Sequence, residues 1–206
     1  MNTTLAFPAL RTLRPRRCLA PVLVAALLLG GCAAPPSSSP YTVQDADHRD
    51  PRRADELNTR AADLIDPDPA QAEALLREAL TADLYHGPAH NNLGTLYLSQ
   101  GKLYEAAGEF EWARKLLPGH PDPRMNLALT LETAGRTDEA LATYETALEV
   151  YPQHLPTMQA LARLRVRSGR VDERTRELLH EVAFMSEDGQ WRDWARVQLA
   201  KAPDKQ

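Results

Sequence analysis

Cysteine, glycine and aromatic residues are scarce in this chain of 206 residues, and each shortage excludes something. Two cysteines, Cys18 and Cys32, cannot build a disulfide framework. With only 10 glycines and 6% aromatics, and with Ala and Leu dominating from residue 54 onward, the chain favours helices. Ala and Leu lose little on entering a helix, and the β-branched residues that prefer strands are few. Excess positive charge is missing too. A formal net charge of -4 argues against a basic nucleic-acid binder. The apolar run Leu19–Leu29 spans about 17 Å as a helix, roughly half a bilayer core, which is too short for a membrane span. What is present, 43% hydrophobic and 25% charged residues, excludes a wholly disordered chain and a multi-span membrane protein.

The start of the chain reads as an address. Arg11, Arg14, Arg16 and Arg17 precede the apolar run, no acidic residue occurs before Asp45, and the run ends in Leu29-Gly30-Gly31-Cys32. This stretch resembles the lipobox of bacterial lipoproteins: a branched apolar residue, two small ones, then a cysteine. The resemblance implies that residues 1–31 are a signal peptide removed before Cys32. It also implies that Cys32 carries diacylglycerol and further acyl chains such as palmitate. Several chains together give durable anchoring. Ala33 stands where an Asp would retain such a lipoprotein in the inner membrane, so the resemblance implies the periplasmic face of the outer membrane. Cleavage would leave 20 basic against 28 acidic residues, a charge of -8. Anionic lipid and nucleic acid repel such a domain, so membrane contact is expected through the lipid alone and basic partners are favoured.

Residues 32–52 carry the lipidated cysteine and a Pro- and Ser-rich stretch, expected to be a flexible tether. Twenty such residues reach about 25 Å. Beyond them the chain repeats itself at an offset of 34. His90-x2-Leu93-Gly94-x2-Tyr97, Ala106-x3-Phe110, Ala113 and Pro118 recur as Arg124-x2-Leu127-Ala128-x2-Leu131, Ala140-x3-Tyr144, Ala147 and Pro152. Gly101, Gly135 and Gly169 punctuate the units at that spacing. The pattern resembles the tetratricopeptide repeat, with its large residue, Leu-Gly, Tyr, Ala, Phe, Ala and Pro on two antiparallel helices. The fold this implies is all-α, a right-handed solenoid of about four helix pairs with a capping helix. Its expected units are degenerate repeats at 53–86 and 155–188, full repeats at 87–120 and 121–154, and a capping helix and tail at 189–206. In 155–188, Arg174 and Glu181 fall on two small sites, and a one-residue insertion would put Thr175, Leu179 and Val182 on the packing positions instead.

No catalytic constellation emerges. His86, His120 and His154 recur at 34 residues and fall at equivalent loop positions on separate layers about 8–10 Å apart, too far for one metal. Gly87-Pro88 is expected to prevent a regular helix between His86 and His90. The carboxylates are expected at helix caps and on exposed faces. Phosphate loops and nucleophile elbows are absent. The expectation is therefore no enzyme, no cofactor, no metal and no small-molecule substrate.

A binding surface remains. The repeat family lines a groove with set positions of its first helices, which implies Asn91, Thr95, Leu98, Met125, Leu129, Glu132, Gln159 and Arg163 here, with Arg167 nearby. Leu98, Met125 and Leu129 would be an apolar floor with Arg163 and Arg167 at one end, unless Met125 and Leu129 simply pack between helices. Tyr104 and Trp112, on a second helix, are either an alternative convex contact or ordinary packing. The implied role is a membrane-anchored periplasmic scaffold for other envelope proteins, similar to tetratricopeptide lipoproteins that assist pilus or secretin assembly. Alternatives are an adaptor docking peptidoglycan enzymes or proteases, and a non-catalytic accessory subunit of an envelope enzyme.

Overall fold

The computed structural model describes residues 49–201, which hold nine helices and no strand. They are α1 (Pro51–Ala62), α2 (Pro69–Ala82), α3 (Gly87–Ser99), α4 (Leu103–Leu116), α5 (Asp122–Thr133), α6 (Thr137–Val150), α7 (Leu155–Arg167), α8 (Glu173–Met185) and α9 (Gly189–Lys201). The segment around Cys32 lies outside the described residues. Each helix packs on its successor, and first helices also meet across a repeat, α1 on α3 and α3 on α5.

Local chemistry sets the ends. Pro51, Pro69, Pro88, Pro123 and Pro156 occupy first turns, where a missing N–H costs nothing. Asp50, Asp68 and Asp172 cap their helices by accepting from Arg53, Gln71 and Thr175 backbone N–H groups at 2.9–3.0 Å. Gly101, Gly135 and Gly169 have φ of +72°, +76° and +72°. Each closes a first helix with paired bonds, such as Lys102 N–H to the Tyr97 carbonyl at 2.9 Å and Gly101 N–H to Leu98 at 3.0 Å. Left-handed backbone is why glycine recurs there.

Two expectations about helix starts are corrected. Gly87 and Pro88 do not prevent a helix; they begin α3, because proline is tolerated in a first turn. His86 caps that helix, its Nδ1 accepting from Ala89 N–H at 3.1 Å. The tether expected to reach residue 52 gives way to helix at Pro51, and the chain is already fastened just before it. Arg49 Nε donates to Asp83 at 2.7 Å, and its guanidinium lies 4.9 Å from the Tyr85 ring centre. Burial pushes the Asp83 carboxyl up, but bonds from Arg49 and the Tyr85 N–H outweigh it, and the net shift is downward.

The core is a stack of small-against-large contacts. Ala106, Ala128, Ala140, Phe110 and Tyr144 are all fully buried. A Cβ on Gly94 would lie 2.7 Å from the Phe110 ring, so only glycine lets α3 sit this close to α4. Thr175, Leu179 and Val182 are likewise fully buried on α8, whereas Arg174 and Glu181 are not, so the one-residue insertion is present. Its extra residue lies in the chain between α7 and α8.

Candidate partner-binding site

Most of the first-helix residues expected to line a groove have structural employment. Asn91 accepts from Asn126 at 3.1 Å, and one layer back Asn92 donates to Asn58 at 2.9 Å, so amides ladder α1, α3 and α5 together. The Thr95 hydroxyl donates to the Asn91 carbonyl at 3.0 Å. Gln159 donates to Ser186 at 3.1 Å, tying α7 to the end of α8. Leu98 and Met125 are partly buried against the core. Leu129, on the same helix as Met125, is likewise only partly buried.

Glu132, with only 6% of its side chain exposed, organises the end of this face. It accepts from Arg167 at 2.9 Å and from the Tyr144 hydroxyl at 3.1 Å, and Arg163 approaches the same oxygen as Arg167 at 3.8 Å. Burial first, then the neighbouring Glu132 charge, raises the Tyr144 pKa, which keeps its hydroxyl protonated as a donor. Arg163 and Arg167 are therefore not an unengaged pair of cations. Glu132 neutralises one charge of the two, and one remains.

Further pairs join the same repeats. Glu145 receives Arg174 at 3.1 Å and Arg165 at 3.6 Å, and Asp138 pairs with Arg170. Arg163 and Arg167 of α7, Arg174 of α8 and Arg170 of their connecting turn thus meet acids of α5 and α6, while Arg165 lies nearer Asp172, at 2.6 Å, than Glu145.

Trp112 is a packing residue. Its ring stacks on His90, with centroids 5.5 Å apart and planes within 10°. His90 is fully buried, with Nδ1 2.7 Å from Glu109 and Nε2 2.9 Å from the Leu84 carbonyl. Tyr104, by contrast, is 91% exposed. The expectation that carboxylates lie at caps and on exposed faces fails for Glu109 and Glu132, which are held inside by His90 and the Arg163–Arg167 pair, whereas Asp83, though buried against Arg49, stands at the C-cap of α2. The signal for Glu109 was available: it falls in the stripe Ala106, Phe110 and Ala113, three residues after the first.

Sequence spacing also assigned α9 only a capping role. Trp191 and Trp194, edge to face at 5.4 Å, also line an open cavity of about 400 Å³ with Arg163 and Gln190. Arg163 thus belongs both to the Glu132 cluster and to this cavity.

The helix pairs, their glycine closures and their small-against-large contacts agree with the family model for the tetratricopeptide repeat, which matches residues 68–121 and 91–154. Residues 68–154 are tetratricopeptide repeats. Solved structures extend the tetratricopeptide fold over more of the chain. Pseudomonas aeruginosa pilF is similar at a TM-score of 0.66 and 21% identity, over 74% of this chain and 69% of that one. A tetratricopeptide repeat protein from Parabacteroides merdae has a TM-score of 0.61 and 23% identity, over 73% of this chain and 60% of that one. The first repeat domain of Spaghetti, solved with an HSP90 peptide bound, has 0.56 and 18%, over 59% of this chain and 98% of that one. At such identities the likeness is one of fold. No curated protein matches the sequence.

Proposed function

We propose that this protein is a lipid-anchored envelope scaffold that binds protein partners along the first-helix face of its tetratricopeptide solenoid. The observation that carries this reading is Leu129, an apolar side chain left partly exposed one helical turn from Glu132, whose cluster with Arg163 and Arg167 carries residual positive charge. Support for peptide binding by such a fold comes from the Spaghetti domain, solved with its HSP90 peptide. The partner is a protein rather than a substrate, and the fold's general use is as a non-catalytic scaffold. Support for the anchor is Leu29-Gly30-Gly31-Cys32, and Ala33 favours the periplasmic face of the outer membrane. Among the described residues, no helix is long and apolar enough to cross a membrane. Within this reading, pilus or secretin assembly is the pathway that a lipobox joined to tetratricopeptide repeats resembles.

Leu129→Glu tests the face. Burying a leucine-sized anchor is worth about 1.5–3 kcal/mol, so placing a charge there should weaken partner capture at least tenfold. Leu129 is not among the fully buried residues, so on the groove reading the thermal melt should stay near that of the unaltered protein. Tyr104→Ala is the control, an exposed aromatic on the second-helix side. Loss of capture with Tyr104→Ala alone would move the site to that side. A collapsed melt for Leu129→Glu would make Leu129 a core residue.

The anchor is tested by Cys32→Ser. Without the thiol no thioether to diacylglycerol can form, so the variant should remain unprocessed or appear in the soluble envelope fraction. A processed Cys32→Ser protein that still partitions fully with membranes would overturn the lipoprotein assignment.

A further inference from the structure

We propose that the cavity between α7 and α9 receives a bulky apolar side chain of a partner peptide, whose adjacent carboxylate pairs with Arg163. The proposal rests on the reading above and adds the chemistry of the occupant. The cavity is an open cleft of about 400 Å³, with the two indole rings as apolar wall and Arg163 and Gln190 as its polar groups. Its walls are the Trp191 and Trp194 rings, partly buried against the core and set at 84° to each other. Two rings at that angle present a face and an edge, which suits an aromatic or leucine side chain.

Charge selects the rest. Glu132 is shared by two arginines, and Arg167 holds the closer position at 2.9 Å. Arg163 stands off at 3.8 Å, beyond hydrogen-bond distance, with 46% of its side chain exposed. Its fork of N–H donors therefore has capacity for a second carboxylate, and guanidinium–carboxylate pairs are among the stronger hydrogen bonds. The net charge of the Glu132, Arg163 and Arg167 group is positive within a chain of net charge -4, so it marks a local site for an acid. Gln190, on the cavity wall, supplies an amide that both donates and accepts, as a peptide backbone requires. A cationic occupant would meet Arg163, and a purely apolar one would leave it unused.

The test uses the full-length chain in detergent micelles and the acetylated hexapeptide Ser-Gly-Ser-Gly-Asp-Phe, followed by calorimetry and tryptophan fluorescence. Three altered peptides accompany it: Asp to Asn, Phe to Ala, and an amidated C-terminus. The Asp and amide arms distinguish a side-chain carboxylate from a terminal one. Removing the effective carboxylate should weaken binding at least tenfold, and replacing Phe by Ala should do the same. In Arg163→Gln, whose exposed side chain can change without unfolding the domain, acid and amide peptides should bind alike. Trp194→Leu, which keeps the wall apolar, should retain the acid preference.

Indifference of the wild-type protein to all three changes would overturn the proposal. So would an acid preference that survives Arg163→Gln. Arg163-dependent binding to phosphatidylglycerol vesicles, with no binding of the peptides, would overturn it in favour of a lipid headgroup. If Leu129→Glu loses partners while Arg163→Gln changes no peptide, the groove stands and this pocket falls. If the pocket behaves as proposed while Leu129→Glu keeps its partners, the broader groove is what fails.

Discussion

Phe110→Ala should destabilise the solenoid by about 3–5 kcal/mol, read as a lower midpoint in urea unfolding followed by circular dichroism. Phe110 is fully buried in α4 and faces Gly94 of α3, where a Cβ would stand 2.7 Å from its Cε1 and 2.8 Å from its Cδ1. The two residues are a matched hole and knob, which gives a second, sharper expectation. Gly94→Ala alone should destabilise, because the new methyl collides with a ring that close packing holds in place. In the Phe110→Ala background the same methyl enters space the ring has vacated. Alanine also favours a helix interior over glycine by about 1 kcal/mol. Gly94→Ala should therefore reverse sign and recover part of the loss. Additive destabilisation in the double variant would show that Gly94 and Phe110 do not meet. Because stacked repeats can unfold in stages, the comparison should use the slope as well as the midpoint.

That contact also shows why so much of the fold is legible in the sequence. A repeat writes the same small-large pairing again and again: Gly94 with Phe110, then Ala128 and Tyr144 at the same offsets. Each pair lies within a single hairpin, and the hairpin geometry is fixed by a glycine that must adopt positive φ. Even the one-residue insertion before α8 is readable, because Thr175, Leu179 and Val182 restore the pattern that Arg174 and Glu181 would break.

The candidate site is less legible, because its contacts cross between repeats. Glu132 meets Arg167 35 residues later, and Arg163 is nearer in sequence but farther in space. Which of these long side chains reaches the carboxylate depends on the rotation between α5 and α7, which spacing within one helix does not specify. The cavity has the same origin. Trp191 and Trp194 face Arg163 only because of the way α9 docks, and no periodicity in 189–201 encodes that. Position in the repeat assigns Asn91 and Gln159 to a binding face, yet each finds an internal partner on a neighbouring element.

The buried His90–Glu109 pair carries the other large expected effect. His90 occupies the place of the large residue in the repeat signature, and it is fully enclosed. The Leu84 carbonyl, 2.9 Å from Nε2, can only accept, so that nitrogen carries a proton. The carbonyl, the Glu109 carboxylate at 2.7 Å and the face of Trp112 all help to position the ring. Removing one member of a buried pair leaves the other in a low-dielectric interior without the partner that accommodates it there, at a cost of about 3–5 kcal/mol. Glu109→Leu and His90→Leu should each cost that much. Replacing both removes the burden along with the bond, so the double variant should be far more stable than the two losses added together. A coupling of about 1–3 kcal/mol in the double-mutant cycle is the expected result. Additivity within about 0.5 kcal/mol would show that the two side chains act independently. A fourth variant, Trp112→Phe, keeps an aromatic face over His90 and should be tolerated much better than Trp112→Ala. Equal losses from those two would mean that the stacked ring contributes bulk alone.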